Sequence, residues 1–454
     1  MTRGLAGARG SRRMTLLSLV GALYMMVSGG PYALEELARD VGFGPAIVVL
    51  LAVPLFWSVP TALMVGELAS ALPEEGGYYA WVRRALGPFW GFQEAWLSLV
   101  ASVFDMALYP TFFTLYLTRL VPALGAWPSA PIVTGALVIA TAAVYNVAGA
   151  RAVGNGSAAM AVLLMGPFAV MVALAVFGHS APAAPFAPHA AASVAPDLAG
   201  AVVVAMWNYM GWDNASTVAG EVERPQRTYP RAVLLAVGLV AITYVVPFAA
   251  MRLAGVDPSS WDTGAWADEA RALGGTPLGV AVVVGGMLSA FGMCAALSLS
   301  YSRLPLALAE DGFLPRDFAS RRTRRGVPWL SVLACAVVWS LSLGMSFERL
   351  VTLDIVLYGS SLLLEFVALV ALRLREPALA RPFRVPGGLA VAVALGIGPL
   401  GLLGFALAKN ASERVGPMSA PLFAGGLMLL GPLAYVAARR LSPSAGKTAQ
   451  GLAP

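Results

Sequence analysis

Charge is what this sequence has least of. Only 12% of its 454 residues are Asp, Glu, Lys or Arg, about half the share in an ordinary soluble domain, and the mean hydropathy is +0.75. A water-soluble fold is excluded. Histidine is scarcer still: His179 and His189 are the only two, and both fall in one Ala/Pro-rich segment. No imidazole is left in an apolar stretch for a metal site or a catalytic dyad. The full phosphate-binding pattern Gly-x-x-x-x-Gly-Lys-Ser/Thr is also missing, since Gly446-Lys447-Thr448 has Leu441 where its first glycine belongs, and so is a His-Glu-x-x-His segment. A membrane-integral enzyme therefore has little to work with, and neither cofactor nor metal is expected. The two cysteines, Cys294 and Cys335, sit inside apolar runs, where thiols behave as small hydrophobes; no disulfide framework is implied.

What remains is apolar sequence in long stretches, most exceeding the ~20 residues a helix needs to cross a bilayer. They number about twelve, and no connection between them is long enough to hold a soluble domain. The fold class expected is an all-α membrane protein of twelve transmembrane helices. With the N-terminus placed in the cytoplasm, 23 of the 30 Lys and Arg fall on the cytoplasmic side, the bias that sets orientation in membranes. Both termini are expected inside, in the cell membrane. The net charge of +6 then reflects topology, and no nucleic-acid partner is implied because no basic, aromatic-interleaved surface exists. The basic start followed by an apolar run reads as the first helix rather than a cleaved leader, since no small-residue cleavage pattern follows.

Two of the apolar stretches are interrupted, and they hold corresponding places in the two halves. The first, 14–40, breaks at Val27-Ser28-Gly29-Gly30-Pro31; the second, 197–222, breaks at Asn208-Tyr209-Met210-Gly211-Trp212-Asp213. Lipid supplies no hydrogen-bond partners, so unwound backbone survives at membrane depth only where it is packed in protein or lines a polar cavity. Paired breaks are the best sequence pointer to the substrate site of a secondary transporter. The second break comes five spans after the first, an odd number, so the two helices run in opposite directions. The expected organisation is a cytoplasmic tail 1–13, a first repeat 14–178, an inverted second repeat 197–375, two further helices in 376–440, and a tail 441–454. Within the first break, Gly29 and Gly30 let a ligand approach the backbone. Pro31 suits the first turn of a half-helix, whose positive end favours an anion. Carbonyls freed by the breaks favour an ammonium group. A packing kink is the competing reading of Ser28-Gly29-Gly30-Pro31, and the matching break in the second half argues against it.

Intramembrane acids are functional candidates by default. Asp213 is the sharpest, as a substrate, gating or proton-coupling residue; the competing role is an N-cap for a half-helix over 214–222. Trp207 and Tyr209 flank it as aromatic candidates, Trp207 for gating, and an indole face also holds an ammonium. Asp105 and Tyr109, four apart, share one face of a helix that must point inward. Glu94 and Glu365 read as structural acids, Glu35 and Glu36 as residues of an outer vestibule. Glu67, Glu221 and Glu223 lie among arginines near the cytoplasmic end, where ion pairs are the expected role. Ser298, Ser300 and Ser302 read as backbone-bonded serines. With no Lys in any core span, the acids tilt the expected coupling ion towards a proton.

Several segments carry a family likeness. Glu67-Leu68-Ala69 with Gly76-Gly77-Tyr78-Tyr79-Ala80-Trp81, Gly220-Glu221-Val222-Glu223-Arg224-Pro225, and Ser302-Arg303 with Ala309-Glu310-Asp311-Gly312-Phe313-Leu314-Pro315 resemble loops of the amino acid–polyamine–organocation superfamily. Val27 to Tyr32, Trp57-Ser58-Val59-Pro60, Tyr109-Pro110, Trp212 to Thr217 and the stretch Leu364 to Pro386 are similar to its polyamine-uptake and L-type branch. The resemblance implies the leucine-transporter-like fold, a 5+5 inverted repeat plus two C-terminal helices. It also implies a site between helices one, three, six and eight, alternating access, and usually proton coupling. Ser28, Gly29, Gly30, Asp105, Tyr109, Trp207, Tyr209 and Asp213 are the candidate site residues. Plant-type polyamine carriers have an acid and a Gln where this chain has Ala295 and Leu297, and Asn where it has Asp105, so the lining is rearranged. Residues 119–130 lack the cysteine that links L-type carriers to a heavy chain, and no such partner is expected. The function expected is secondary transport of amino acids or polyamines, with a neutral amino acid exchanger as the alternative. A channel is the remote rival, and concentrative uptake separates the two.

Overall fold

The computed structural model describes residues 13–178, 197–319, 323 and 326–441. The expected tails, save Arg13 and Leu441, and the segment with His179 and His189 lie outside the described residues.

The first interrupted span opens with a capping box: Thr15 Oγ1 accepts from the Ser18 amide (3.4 Å) and Ser18 Oγ from the Thr15 amide (2.7 Å). Helix α1 (Leu16–Val27) stops where Ser28 turns extended, at φ −139°. Gly30 and Ala33 then take positive φ, 84° and 66°, a conformation costing an alanine roughly 1–2 kcal/mol. The helix resumes as α2 (Glu35–Val41). Pro31 therefore does not open the half-helix; it lies four residues upstream, because the left-handed Gly30 and Ala33 hold the chain in turns until Glu35.

A second crossing is built from α3 (Phe43–Phe56) and α4 (Ser58–Ala71), joined at Trp57. A short α5 (Tyr78–Leu86) leads to α6 (Pro88–Leu120), whose 33 residues make a rod about 50 Å long. Next come α7 (Ala130–Asn146) and α8 (Ala150–Phe177).

The second interrupted span starts at α9 (Leu198–Asn208), capped by Asp197 Oδ1 on the Gly200 amide (2.9 Å). It unwinds over 209–213 and continues only as 3-10 turns, Asn214–Thr217 and Ala219–Glu221. The half-helix expected over 214–222 is thus not α-helical, and Asp213 caps nothing with its side chain. That carboxylate is held instead by a tyrosine from a distant helix. Pro225 then starts α10 (Pro225–Leu253).

Helix α11 (Ala265–Tyr301) is kinked at Gly274 and Gly275. It is followed by α12 (Arg303–Glu310), α13 (Trp329–Trp339), α14 (Phe347–Arg375), α15 (Gly388–Leu395), α16 (Ile397–Lys409), a two-residue hairpin of β1 (Arg414–Val415) on β2 (Met418–Ser419), and α17 (Ala420–Leu441).

Among the described residues, eight helical stretches are long and apolar enough to cross a membrane, and four shorter apolar ones accompany them. Burial separates centre from rim. In the most apolar window of α6 and of α14, 67% of residues are buried, against 17% in α17, whose Leu422, Leu429 and Leu433 are exposed. Helices α6, α11 and α14 pack together with α1 and α8 around the two breaks.

Candidate substrate site

The two breaks touch. Gly211 has φ +95°, and a Cβ built on it would lie 2.6 Å from the Met26 carbonyl oxygen. No side chain fits between the backbones there. The Gly211 amide donates to Tyr358 Oη (3.0 Å), so α14 fixes the second break from the far side. In the first break, a Cβ on Gly29 would meet Met293 Sδ at 2.7 Å, which shows α11 pressed equally close.

Between these backbones lies a cavity with about 350 Å³ of empty space, lined by Met26, Val27, Gly211 and Asn214 of the breaks and by side chains of α6, α9, α11 and α14. Two acids reach it. Asp105, midway along α6, accepts from Tyr109 (2.5 Å) on the same helix and from Tyr301 (3.0 Å) on α11. Asp354 of α14 lies against Trp207, and its Oδ1 has no partner among the described residues. Among the described residues, neither Lys, Arg nor His lines the cavity. Burying a carboxylate without a counter-charge is costly.

Tyr109, Trp207, Asn208 and Met293 also line an adjoining space of about 320 Å³ that includes Gly29, Tyr32, Phe112 and Tyr116. Trp207 forms the wall between the two and stacks on Phe112 (6.1 Å between ring centroids) and edge-on to Phe347 (5.6 Å).

Of the residues singled out from sequence, Asp105, Tyr109 and Trp207 line the first cavity, and Gly29 the second. Ser28 is buried, its Oγ accepting the Gly30 amide (3.1 Å). Tyr209 points elsewhere and donates to the Leu50 carbonyl (2.9 Å). Asp213 stands one layer behind the wall, hydrogen-bonded to the hydroxyl of Tyr358, which does line the cavity. Asp354, Tyr301 and Tyr358 escaped the sequence reading. Asp354 carried a signal, an isolated acid within the apolar run Leu350–Tyr358; the tyrosines carried none.

Contact networks stand on either side of the cavity. At one end Met14 pairs with the segment after the second break, through Met14 N to Glu221 O (2.8 Å) and Glu223 N to Met14 O (2.9 Å). Arg303 donates to Glu221 (2.9 Å), and Asp311 receives both Tyr79 and Arg83. Glu67, fully buried, accepts from Arg373 (2.9 and 2.5 Å) and the Val385 amide (2.8 Å), with Arg381 at 3.3 Å. At the other end Glu35, also buried rather than facing a vestibule, accepts from Tyr116 (2.8 Å) and the Gly264 amide (3.1 Å). Arg119 bridges Asp262 (2.9 Å) and Asp268 (2.6 Å) just outside it.

The family model described as amino acid permease matches residues 14–423. This chain belongs to that family. Among its relatives, a polyamine transporter of Oryza sativa is 37% identical over 95% of this chain and 80% of its own length. A polyamine transporter of Arabidopsis thaliana is 34% identical over 87% of this chain and 80% of its own length. An uncharacterized transporter of Mycobacterium tuberculosis is 30% identical over 72% of each chain. The permease is a multi-pass membrane protein and a transporter, not an enzyme.

Proposed function

We propose that this permease is a secondary active carrier for cationic amines, polyamines foremost, working by alternating access. The single observation carrying this reading is a buried cavity bearing Asp105 and Asp354 with no cationic side chain among the described residues on its wall. Ammonium groups at two points of one chain-like solute match two acids, and Trp207 and Tyr109 offer aromatic faces to the methylenes and charges between. The names of the plant relatives agree. An amino acid would also need an anion site at the breaks. There the Gly30 amide is engaged by Ser28 Oγ and the Gly211 amide by Tyr358 Oη, which favours an amine without a carboxylate.

Eight long and four shorter apolar helices support twelve spans, and the matching breaks support an inverted repeat of five and five with two added helices. Both termini are assigned to the cytoplasm from the Lys and Arg bias. The Met14–Glu221 end is then the inner gate, the Glu35–Gly264 end the outer one, and Trp207 the partition that moves between them. Protons are the assigned coupling ion.

A thermal-shift screen of purified protein against polyamines and amino acids tests the substrate. At ligand concentrations 100 times Kd, a polyamine is expected to stabilise by about 2.7 kcal/mol. Stabilisation by neutral amino acids alone would overturn the assignment.

A further inference from the structure

Behind the substrate cavity lies a second acidic group that the cavity does not use. Glu94 of α6 and Glu365 of α14 are both fully buried, and Asp213 is 1% exposed. Glu365 abuts the Asp213 carboxylate, and Glu94 lies close enough for its charge to act on both. Ser98 donates to Glu94 Oε1 (3.3 Å) and meets Ser361 (3.1 Å). Neither oxygen of Glu365 has a partner among the described residues, nor has Glu94 Oε2, nor the buried hydroxyl of Tyr78, which faces all three acids from α5. The titratable groups turned towards Glu365 are thus Asp213 on the second break, Glu94 on α6, Tyr78 on α5 and Tyr358 on α14. The nearest cation along α14, Arg373, sits eight residues on, about 12 Å, and is paired with Glu67.

Carboxylates in contact in a low-dielectric interior cannot all be ionised, and two of them bond to each other only through a proton. We propose that Glu365, with Glu94 beside it, is the proton-binding site of this carrier, separate from the amine site and joined to it through Asp213 and Tyr358. The inference rests on the carrier reading above. The transfer is simple: the Glu365 O–H bond breaks, an Asp213 O–H bond forms, and Glu365 is left as carboxylate. Asp213, once neutral, accepts from the Tyr358 hydroxyl more weakly than the carboxylate does. That hydroxyl lines the cavity and also accepts from Gly211, so the proton's position is transmitted to the amine site and to the second break together.

Infrared difference spectroscopy of the purified wild-type protein and of Glu365→Gln and Glu94→Gln tests the site without any substrate. A protonated-carboxyl band is expected at pH 7 in the wild type and is expected to shrink in both variants. Its absence from the wild type, or its persistence unchanged in both variants, overturns the proposal. So does a band that appears only when sodium is withdrawn, which would mark a metal cation in the place of the proton. In proteoliposomes loaded with putrescine, the ratio of pH-gradient-driven uptake to counterflow is expected to fall at least tenfold in Glu365→Gln. An unchanged ratio overturns the coupling role. If wild-type protein moves no amine at all, the carrier reading fails, while the infrared result still decides the proton site.

Discussion

Asp105, proposed above as a recognition group, is also fixed by packing. Two tyrosine hydroxyls, from α6 and α11, hold it, yet it remains on the cavity wall. Asp105→Asn keeps its size and removes the charge. Uptake of a cationic amine is expected to weaken at least tenfold, about 1.4 kcal/mol, in competition assays with labelled putrescine. Asp213→Asn is expected to weaken it equally, through Tyr358 rather than by contact. Gly211 is constrained for a different reason. Gly211→Ala combines a left-handed backbone with a collision against the Met26 carbonyl, the former alone costing roughly 1–2 kcal/mol. Transport is expected to be abolished, with a lowered melting temperature in detergent, and normal uptake by this variant would refute the contact between the breaks.

At the scale of elements, buried ion pairs tie helices that the bilayer itself cannot hold together. Glu67 joins α4 to α14 and to the segment before α15. Glu67→Gln leaves Arg373 without its counter-charge inside the protein, and destabilisation of about 3–5 kcal/mol is expected, read as loss of the monodisperse peak or of melting temperature. This ion pairing was legible in sequence, since acids beside several arginines near a helix end have few other uses. The two breaks were equally legible, because Gly-Gly-Pro and a polar interruption inside apolar runs violate the helical pattern that lipid imposes. What followed each break was not. Ala33 in a left-handed conformation displaces the start of α2 beyond Pro31, and tertiary bonds to 214–217 from Ser300 and Tyr229 hold that stretch in 3-10 turns. The convergence of Glu94 and Glu365 with Asp213 was not legible, because it depends on how α6 and α14 face each other, which periodicity does not encode.

For the whole molecule, contact networks stand on both sides of the cavity, and they differ in kind. The Met14–Glu221 end relies on backbone pairing and on Arg303 and Asp311; the Glu35 end relies on a buried carboxylate and Arg119. Asp311→Asn is expected to shift the population towards opening at the Met14 end. Cys294 is buried on α11 beside Asp105 and offers a native reporter. In a Cys335→Ser background its alkylation by a small thiol reagent is expected to quicken severalfold in Asp311→Asn, and equal rates would show that this ion pair does not hold the gate.

The close approach of Gly211 to Met26 also bears on how cargo preference can change. At Gly211 the chamber wall is main chain with no room for a side chain, whereas α11 contributes Met293 and Leu297, whose side chains can be exchanged. On the proposed reading, retuning this permease for a longer or shorter passenger is a matter of rewriting Met293 and Leu297, with the Gly211 contact left alone.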